Sequence, residues 1–239
     1  MFVPFSLGPV SRACARRVVA LLLGLGLLFG VGSGQSAAGQ TLRADAGSGW
    51  AFPTNNLDLR RTVSEGPNST RPIRLEVDLK GGPHAYADVG FLRSIGEKFD
   101  LGARIRGHVS RIRSEADCGT ADCRNPEGLL RAATVEGRVI LTSPGWIQPY
   151  LLVGLGVVHT RLHQVTVRNI QASGVPEPLT FSEVSVVDAG GDVGIGATLP
   201  VAGGLAVDAE IRATGSLPGG KENAVTAIPF SLGIAYNVQ

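Results

Sequence analysis

The sequence predicts an all-β fold, an antiparallel transmembrane β-barrel, and three observations lead to this prediction. Apolar residues alternate with small or polar ones in segment after segment. Short connectors rich in Gly and Pro alternate with long polar connectors, and charged residues fall on the small or polar face of the segments. Such facing suits a barrel whose outside meets lipid and whose lumen is polar. The alternative is a periplasmic sandwich whose charged face meets water.

Residues 1–39 are predicted to be a signal peptide that is removed on export. Three arginines precede an apolar run from Val18 to Val31, and small residues follow that run. This order of basic, apolar and small residues is typical of a secretory signal peptide. The run is short for a membrane-spanning helix, which needs about 20 residues. Cleavage after Ala38 or Gly39 leaves 40–239 as the barrel domain.

The charge of the mature chain argues against a nucleic-acid partner. The full sequence has 22 basic and 20 acidic residues, and the leader contains three arginines and no acid. The mature chain therefore carries 19 basic and 20 acidic residues, a net charge of −1. Nucleic-acid binding would call for a basic patch. No cofactor is predicted.

Eight segments with period-two alternation are predicted to be the barrel strands. In chain order they are 42–52, 84–95, 98–113, 129–142, 147–162, 181–199, 204–216 and 228–238. A further alternating run, 71–80, raises the count to nine, whereas single-chain bacterial barrels have even numbers. Either 71–80 belongs to a long first outer loop, which gives eight strands, or it pairs with Leu57 to Val63, which gives ten. We favour eight.

The connectors between these strands form two classes. The short ones, rich in Gly and Pro, are 95–98, 142–146 and 199–204. The long polar ones are 53–83, 114–128, 163–180 and 217–223. Short turns at one end and long loops at the other are typical of an outer-membrane barrel with its turns in the periplasm.

The charged residues of the polar face are predicted to form an ion-pair network in the lumen. Contact with lipid would be costly for them, whereas in the lumen they can pair. The predicted members are Asp88, Arg104, Arg106, Glu136, Arg138, Asp188, Asp192, Asp208, Glu210 and Arg212. Since side chains fill the lumen of an eight-stranded barrel, the predicted role of the network is structural. A narrow, gated ion path is the alternative.

Cys118 and Cys123 are predicted to form a disulfide that closes a loop tip. They are the two cysteines that remain after removal of the leader, and they lie in a polar, turn-rich stretch. Exported proteins commonly contain disulfides. A zinc site would need further ligands, and the pair His159 and His163 lacks them as well, so no metal site is predicted.

The last strand carries a motif that identifies a family resemblance. Ser231, Gly233, Tyr236 and Val238 follow the order polar, glycine, aromatic and apolar at a fixed spacing. With this motif, and with Gly-Trp-Ala-Phe-Pro at 49–53, the chain from about 41 to 239 resembles the small outer-membrane β-barrel superfamily that includes the membrane domain of outer-membrane protein A. The resemblance implies localisation in the bacterial outer membrane, contact with its lipid, and an assembly signal that the barrel-insertion machinery reads.

An enzyme that modifies lipid A is the catalytic alternative. Such an enzyme needs a nucleophile, a histidine base and an acid together on the lipid-facing wall. His108, Ser110 and Asp122 are the candidates, but alternation directs His108 and Ser110 inward. The predicted function is therefore that of a non-enzymatic structural or interaction protein whose long loops meet an unknown extracellular ligand.

Overall fold

The strands account for almost all of the chain that the structure covers. The computed structural model describes residues 40–66, 69–116, 118, 122–123, 127–142, 146–168, 178–217 and 224–238. The predicted signal peptide, 1–39, lies outside these ranges. The strands are β1 (Gln40–Pro53), β2 (Leu57–Gly66), β3 (Ser69–Lys80), β4 (Gly82–Ile95), β5 (Phe99–Ala116), β6 (Asp122–Cys123), β7 (Glu127–Leu141), β8 (Gln148–Leu162), β9 (Val165–Arg168), β10 (Leu179–Phe181), β11 (Val184–Ala202), β12 (Leu205–Ser216) and β13 (Ala227–Val238).

Eight long strands pair in one closed antiparallel ring. The order around the ring is β1, β4, β5, β7, β8, β11, β12 and β13, and β13 pairs again with β1. Closure removes the exposed edges that an open sheet would present. The predicted all-β barrel of eight strands is confirmed.

The ring has a turn end, where the short connectors lie, and a loop end, where the long ones lie. At the turn end Ala202 pairs with Leu205 across a two-residue turn formed by Gly203 and Gly204. Both glycines have positive φ, 58° and 83°, which L side chains rarely adopt. Glycine is therefore required at this turn.

A hairpin and a small three-stranded sheet at the loop end lie outside the ring. β2 pairs with β3 as a hairpin, and β3 then pairs with the last residues of β5, Val77 opposite Ala116. Strands β6, β9 and β10 form a separate three-stranded sheet. The pairing on which the ten-strand alternative depended is therefore present, but it extends the barrel wall outward and adds no strand to the ring.

The side chains of the ring are oriented as in a membrane barrel, with apolar residues outside and charged residues inside. Large apolar side chains on the outside of the ring are exposed, and those of β8 and β11 are typical: Leu151, Val153, Leu155, Val193 and Ile195 are 56–63% exposed. Charged side chains in the middle of the ring strands, such as Asp192, Arg104 and Glu210, point into the lumen and are buried. An apolar exterior around a charged interior requires lipid on the outside. Within the described residues no helix is long and apolar enough to cross a membrane.

Candidate functional site

Arg104 on β5 lies at the centre of an ion-pair network that fills the middle of the lumen. Its guanidinium is 2.7 Å from a carboxylate oxygen of Glu136 and 3.0 Å from one of Glu210. It is also 3.2 Å from Asp88 and 3.5 Å from Asp45. Strand register creates the first pair, since Arg104 and Glu136 are directly opposed on β5 and β7. Glu210 reaches Arg104 from β12, the opposite wall of the ring.

Arg212 and Arg106 complete the half of the network nearer the loop end. Arg212 is 2.8 Å from Glu136 and also donates to Glu210. Arg106 is 3.1 Å from Glu210 and 3.2 Å from Asp88, its cross-strand partner. The two glutamates thus each bind two or three guanidinium groups. Such charge-assisted hydrogen bonds are the strong ones in proteins, and they fix the register of several strands at once.

Arg43 and Arg138 form the half nearer the turn end. Arg43 is 2.9 Å from Asp45 and 2.6 Å from Asp208. Arg138 is 3.3 Å from Asp208, and it donates to the hydroxyl of Thr198 at 2.6 Å. The network predicted from the sequence does not include Arg43 and Asp45. Their alternation with Leu42, Ala44 and Ala46 is the sequence signal that places them on the lumen face.

The structure brings together all the predicted network residues except Asp188. Asp192 joins through Arg212, at 3.5 Å, and through the hydroxyl of Thr214. Asp188 lies nearer the loop end of the same strand and is only partly buried, and its carboxylate accepts a hydrogen bond from the backbone N–H of Ala189. Every arginine of the network contacts at least two carboxylates, so the charges are compensated inside the lumen.

Two tyrosines pack over arginines of the network and against glycines of nearby strands. The guanidinium of Arg106 lies 3.5 Å from the ring centre of Tyr86, and that of Arg138 lies 3.4 Å from the ring centre of Tyr150. A Cβ atom at Gly233 would come within 2.1 Å of the Tyr86 hydroxyl. These glycines therefore provide the room in which the rings lie, and cation–π contact adds to the ion pairs.

Apolar residues seal the charged layer at both ends. At the turn end Ile140, Tyr150 and Leu152 form a buried cluster on which Leu92 packs. At the loop end a larger cluster extends from the barrel wall into the hairpin and the small sheet, and it comprises Ala51, Leu57, Leu59, Val63, Leu75, Val77, Leu79, Ile112, Leu130, Ala132, Val158, Leu162, Val165, Val167, Leu179, Phe181, Val225 and Ala227. No charged side chain of the network is more than 6% exposed. The lumen is therefore filled and sealed within the part of the chain that the structure describes.

This apolar cluster changes the interpretation of the first outer loop. The sequence predicts a polar connector at 53–83, but most alternate residues of its hairpin point into the cluster, Arg61 and Arg71 being exposed instead. Leu57, Leu59, Leu75 and Val77 are at most 6% exposed. Full burial of one such side chain contributes about 1.5–3 kcal/mol. The hairpin, the small sheet and the rim of the ring form one packed unit, which we call the cap.

His108 and Ser110 lie inside the barrel, away from lipid. Ser110 is 1% exposed and His108 is 5% exposed. The hydroxyl of Ser110 is 2.8 Å from Nδ1 of His84 rather than bonded to His108, whose ring lies 5.3 Å from that of His84. The other ring nitrogen of His84 has no hydrogen-bond partner among the described residues, so the Ser–His pair lacks the acid of a catalytic triad. The side chain of Asp122 lies outside the described residues.

The histidines His159 and His163 and the two cysteines lie at the loop end. His159 is 3.1 Å from the hydroxyl of Ser185, whereas His163 is 4.0 Å from Glu183. Among the described residues no group of three or more His, Cys, Asp or Glu is placed to hold a metal ion. The disulfide between Cys118 and Cys123 stays a prediction, because the side chain of Cys123 lies outside the described part of the chain.

The predicted assembly-signal residues lie on β13, the last strand of the ring. Ser231 and Gly233 face the lumen, whereas Tyr236 and Val238 face outward and are 49% and 45% exposed. The contact between Gly233 and Tyr86 gives this glycine a packing role in addition to any role in assembly. Recognition by the insertion machinery stays a prediction.

The outer surface of the cap carries an open cleft. It has a volume of about 540 Å³ and is lined by Leu59, Arg60, Arg61, Thr180, Phe181, Ser182, Glu183 and Val184. Arg61 donates to the backbone carbonyl of Thr180 across the cleft. Glu183 accepts two hydrogen bonds from Arg161, at 2.8 and 3.1 Å, and this interaction holds the pKa of Glu183 below its usual value.

The closed ring of eight strands, the apolar exterior and the sealed charged lumen decide the fold. The protein is an eight-stranded transmembrane β-barrel. Its fold is as predicted from the sequence, and barrels of this kind are typical of the bacterial outer membrane. With short turns at one end, such barrels place that end in the periplasm and their long loops outside the cell. The cap therefore lies on the extracellular side.

Comparisons with known proteins give matches to solved structures only. No protein-family model matches the sequence, and no curated protein sequence matches it. Neisserial surface protein A is 14% identical, and the match covers 84% of this chain and 99% of that chain with a TM-score of 0.42. The attachment invasion locus protein Ail of Yersinia pestis is 12% identical, with 84% and 99% covered and a TM-score of 0.41. The outer membrane protein OprG from Pseudomonas aeruginosa is 10% identical, with 84% and 97% covered and a TM-score of 0.47.

Proposed function

We propose that this outer-membrane barrel is a non-enzymatic interaction protein that holds a folded cap outside the cell for contact with an extracellular partner. The observation that carries the proposal is the apolar cluster that joins the hairpin and the small sheet to the rim of the barrel. Loops that served only to close the chain would not need a core of their own. The barrel beneath the cap is an anchor whose interior is already filled.

A channel and a lipid-modifying enzyme have less support. An ion path would have to cross two apolar clusters and a layer in which each arginine already contacts carboxylates. A lipid A hydrolase would need its nucleophile on the outside of the ring, whereas Ser110 is buried in the lumen. These observations favour anchorage and display over transport and catalysis.

Protease treatment of intact cells that export the full chain tests whether the cap is a folded platform. The hairpin offers trypsin several exposed arginines, including Arg60 and Arg74, so an unstructured loop would be cut at once. We expect the wild-type hairpin to resist cleavage. Leu59→Asp places a charge in the apolar cluster and should make the hairpin cleavable, while Thr62→Asp, on the exposed face of the same strand, should keep it resistant.

Lipid A from the same cells distinguishes an interaction protein from a lipid-modifying enzyme. Mass spectrometry of lipid A should find no acyl chain removed or added in cells that express the wild-type protein. Cleavage of the wild-type hairpin as fast as that of Leu59→Asp would contradict the folded platform. Acyl transfer or release that disappears in Ser110→Ala would overturn the non-enzymatic proposal.

Two further proposals follow from the sequence and concern export and oxidation. We propose that the C-terminal strand, with Tyr236 and Val238 on its outer face, is read by the barrel-insertion machinery. We also propose that Cys118 and Cys123 form a disulfide at the extracellular side of the barrel. Labelling of both thiols in the exported, oxidised protein would contradict the second proposal.

A further inference from the structure

The outer wall of the barrel carries a cluster of arginines on one side of the loop end. Arg111 on β5, Arg131 on β7 and Arg161 on β8 belong to three neighbouring strands, and their side chains are exposed on the outside of the ring. Register places Leu129 directly opposite Arg111 on one side and directly opposite Arg161 on the other. Arg131 is two residues further along the strand of Leu129 and faces the same way. The three arginines are therefore the neighbours of Leu129 on the outer face of the wall.

The apolar exterior begins directly below this cluster. Val109 is the cross-strand neighbour of Arg131, and Val135 and Leu155 follow toward the turn end. Val109 is 39% exposed and Leu155 is 59% exposed on the lipid-facing side. An arginine on the lipid face is costly at the midplane, about 2–4 kcal/mol, but costs only about 0–1 kcal/mol near the interface. The arginines thus lie at the level of the lipid headgroups, on the extracellular side.

Two of the three guanidinium groups are available to a ligand. Within the described part of the chain neither Arg111 nor Arg131 forms an ion pair, whereas each arginine in the lumen contacts at least two carboxylates. Arg161 forms an ion pair with Glu183. The opposite wall differs, because its outward residues near the loop end are apolar, as Phe52 and Ile228 show. Among the described residues, the exposed arginines of the ring wall near the loop end therefore lie on one side of the ring.

We propose that Arg111, Arg131 and Arg161 form a binding site for the phosphorylated headgroup of a lipid in the outer leaflet. Guanidinium groups bind phosphate oxygens bidentately, and a phosphate at this level would supply the anion that Arg111 and Arg131 lack. The acyl chains of the same lipid would lie along the apolar strands below, next to Val109 and Leu155. Arginines that can bind phosphate thus lie directly above an apolar surface that can contact acyl chains. A phosphorylated lipid would use both surfaces, whereas free phosphate would use only the arginines.

The test measures binding of purified bisphosphorylated lipid A to the refolded mature chain in zwitterionic micelles, by native mass spectrometry. Arg111→Gln/Arg131→Gln should weaken binding at least about tenfold, which corresponds to about 1.4 kcal/mol. The matched control is Arg93→Gln/Lys98→Gln, which removes the same charge at the turn end and should bind as the wild type does. Heat-dependent gel mobility verifies that each variant is folded.

Two probes separate the sources of phosphate. Lipid A from which both phosphates have been removed should bind as weakly to the wild type as the intact lipid binds to Arg111→Gln/Arg131→Gln. Inorganic phosphate should not displace the lipid at equal concentration. Equal loss of binding in Arg93→Gln/Lys98→Gln, undiminished binding of the dephosphorylated lipid, or displacement by inorganic phosphate would each overturn the proposal.

Discussion

Replacement of Arg104 by methionine should destabilise the barrel strongly, because it removes the centre of the lumen network. The change preserves the length of the side chain but leaves Glu136, Glu210, Asp88 and Asp45 facing one another without the guanidinium that lies 2.7–3.5 Å from them. The side chain of Arg104 is only 6% exposed, so water reaches its place only if the sealed layer opens. The carboxylates must then repel one another, take up protons or draw water into the sealed layer.

The expected magnitude comes from the burial of the pair rather than from the number of contacts. Removal of one partner from a buried ion pair typically costs about 3–5 kcal/mol. The four carboxylates each keep at least one other arginine, but the buried layer loses the positive charge that they share. The cap provides a control with the same chemistry at the surface. Arg74 binds Asp58 bidentately, at 2.6 Å, but its side chain is 70% exposed. Arg74→Met should therefore cost at most about 1 kcal/mol.

Urea unfolding of the refolded protein in lipid vesicles measures both values, with the folded fraction read from heat-dependent gel mobility. A second substitution distinguishes loss of charge from loss of packing. Arg104→Met/Glu136→Met removes a positive and a negative charge together and should be more stable than the sum of the two single changes predicts. The reasoning would be refuted if Arg104→Met cost no more than Arg74→Met, or if the two changes in the double variant were additive.

Two further predictions concern the facing and the packing of the wall. Val193→Arg, at the middle of the lipid-facing side of β11, should reduce the free energy of unfolding by about 2–4 kcal/mol. Val201→Arg, near the turn end of the same strand, should cost only about 0–1 kcal/mol. Equal costs in vesicle unfolding would contradict the placement of Val193 at the bilayer centre and Val201 near its surface. Gly196→Ala should cost about 1–3 kcal/mol, because its Cβ would lie 2.3 Å from the ring of Tyr150, while Gly107→Ala, with no atom within 4 Å of the added Cβ, should leave stability unchanged or improved. A loss as large at Gly107 as at Gly196 would show that backbone effects and not the tyrosine decide the cost.

Period-two alternation explains why the ring itself could be predicted from the sequence. A residue in a strand has only two faces available, so Asp208, Glu210 and Arg212 had to share the face opposite Val207 and Ile211. Once the apolar face is assigned to lipid, the residues of the other face are predicted to line the lumen in every strand. The boundaries moved by a few residues only, as in β11, which was predicted at 181–199 and spans Val184–Ala202.

The hairpin and the packing of Tyr150 could not be predicted, because both depend on the pairing of strands that are distant in the sequence. Alternation in 57–63 and 71–80 is equally compatible with two more ring strands or with a hairpin, because both place the same residues on one apolar face. The choice depends on the pairing of β3 with the end of β5, a contact that the local pattern does not encode. The packing of Tyr150 over Gly196 likewise depends on which residues the ring brings opposite one another.

Current recording on the refolded mature chain in planar lipid bilayers tests the central claim, a lumen filled by ion pairs and sealed by apolar clusters, most directly. The filled lumen predicts no discrete conductance steps for the wild type at any applied voltage that the bilayer withstands. Reproducible unit steps, with a size or ion selectivity that changes in Arg104→Met, would show that ions pass through the network and would contradict the sealed barrel.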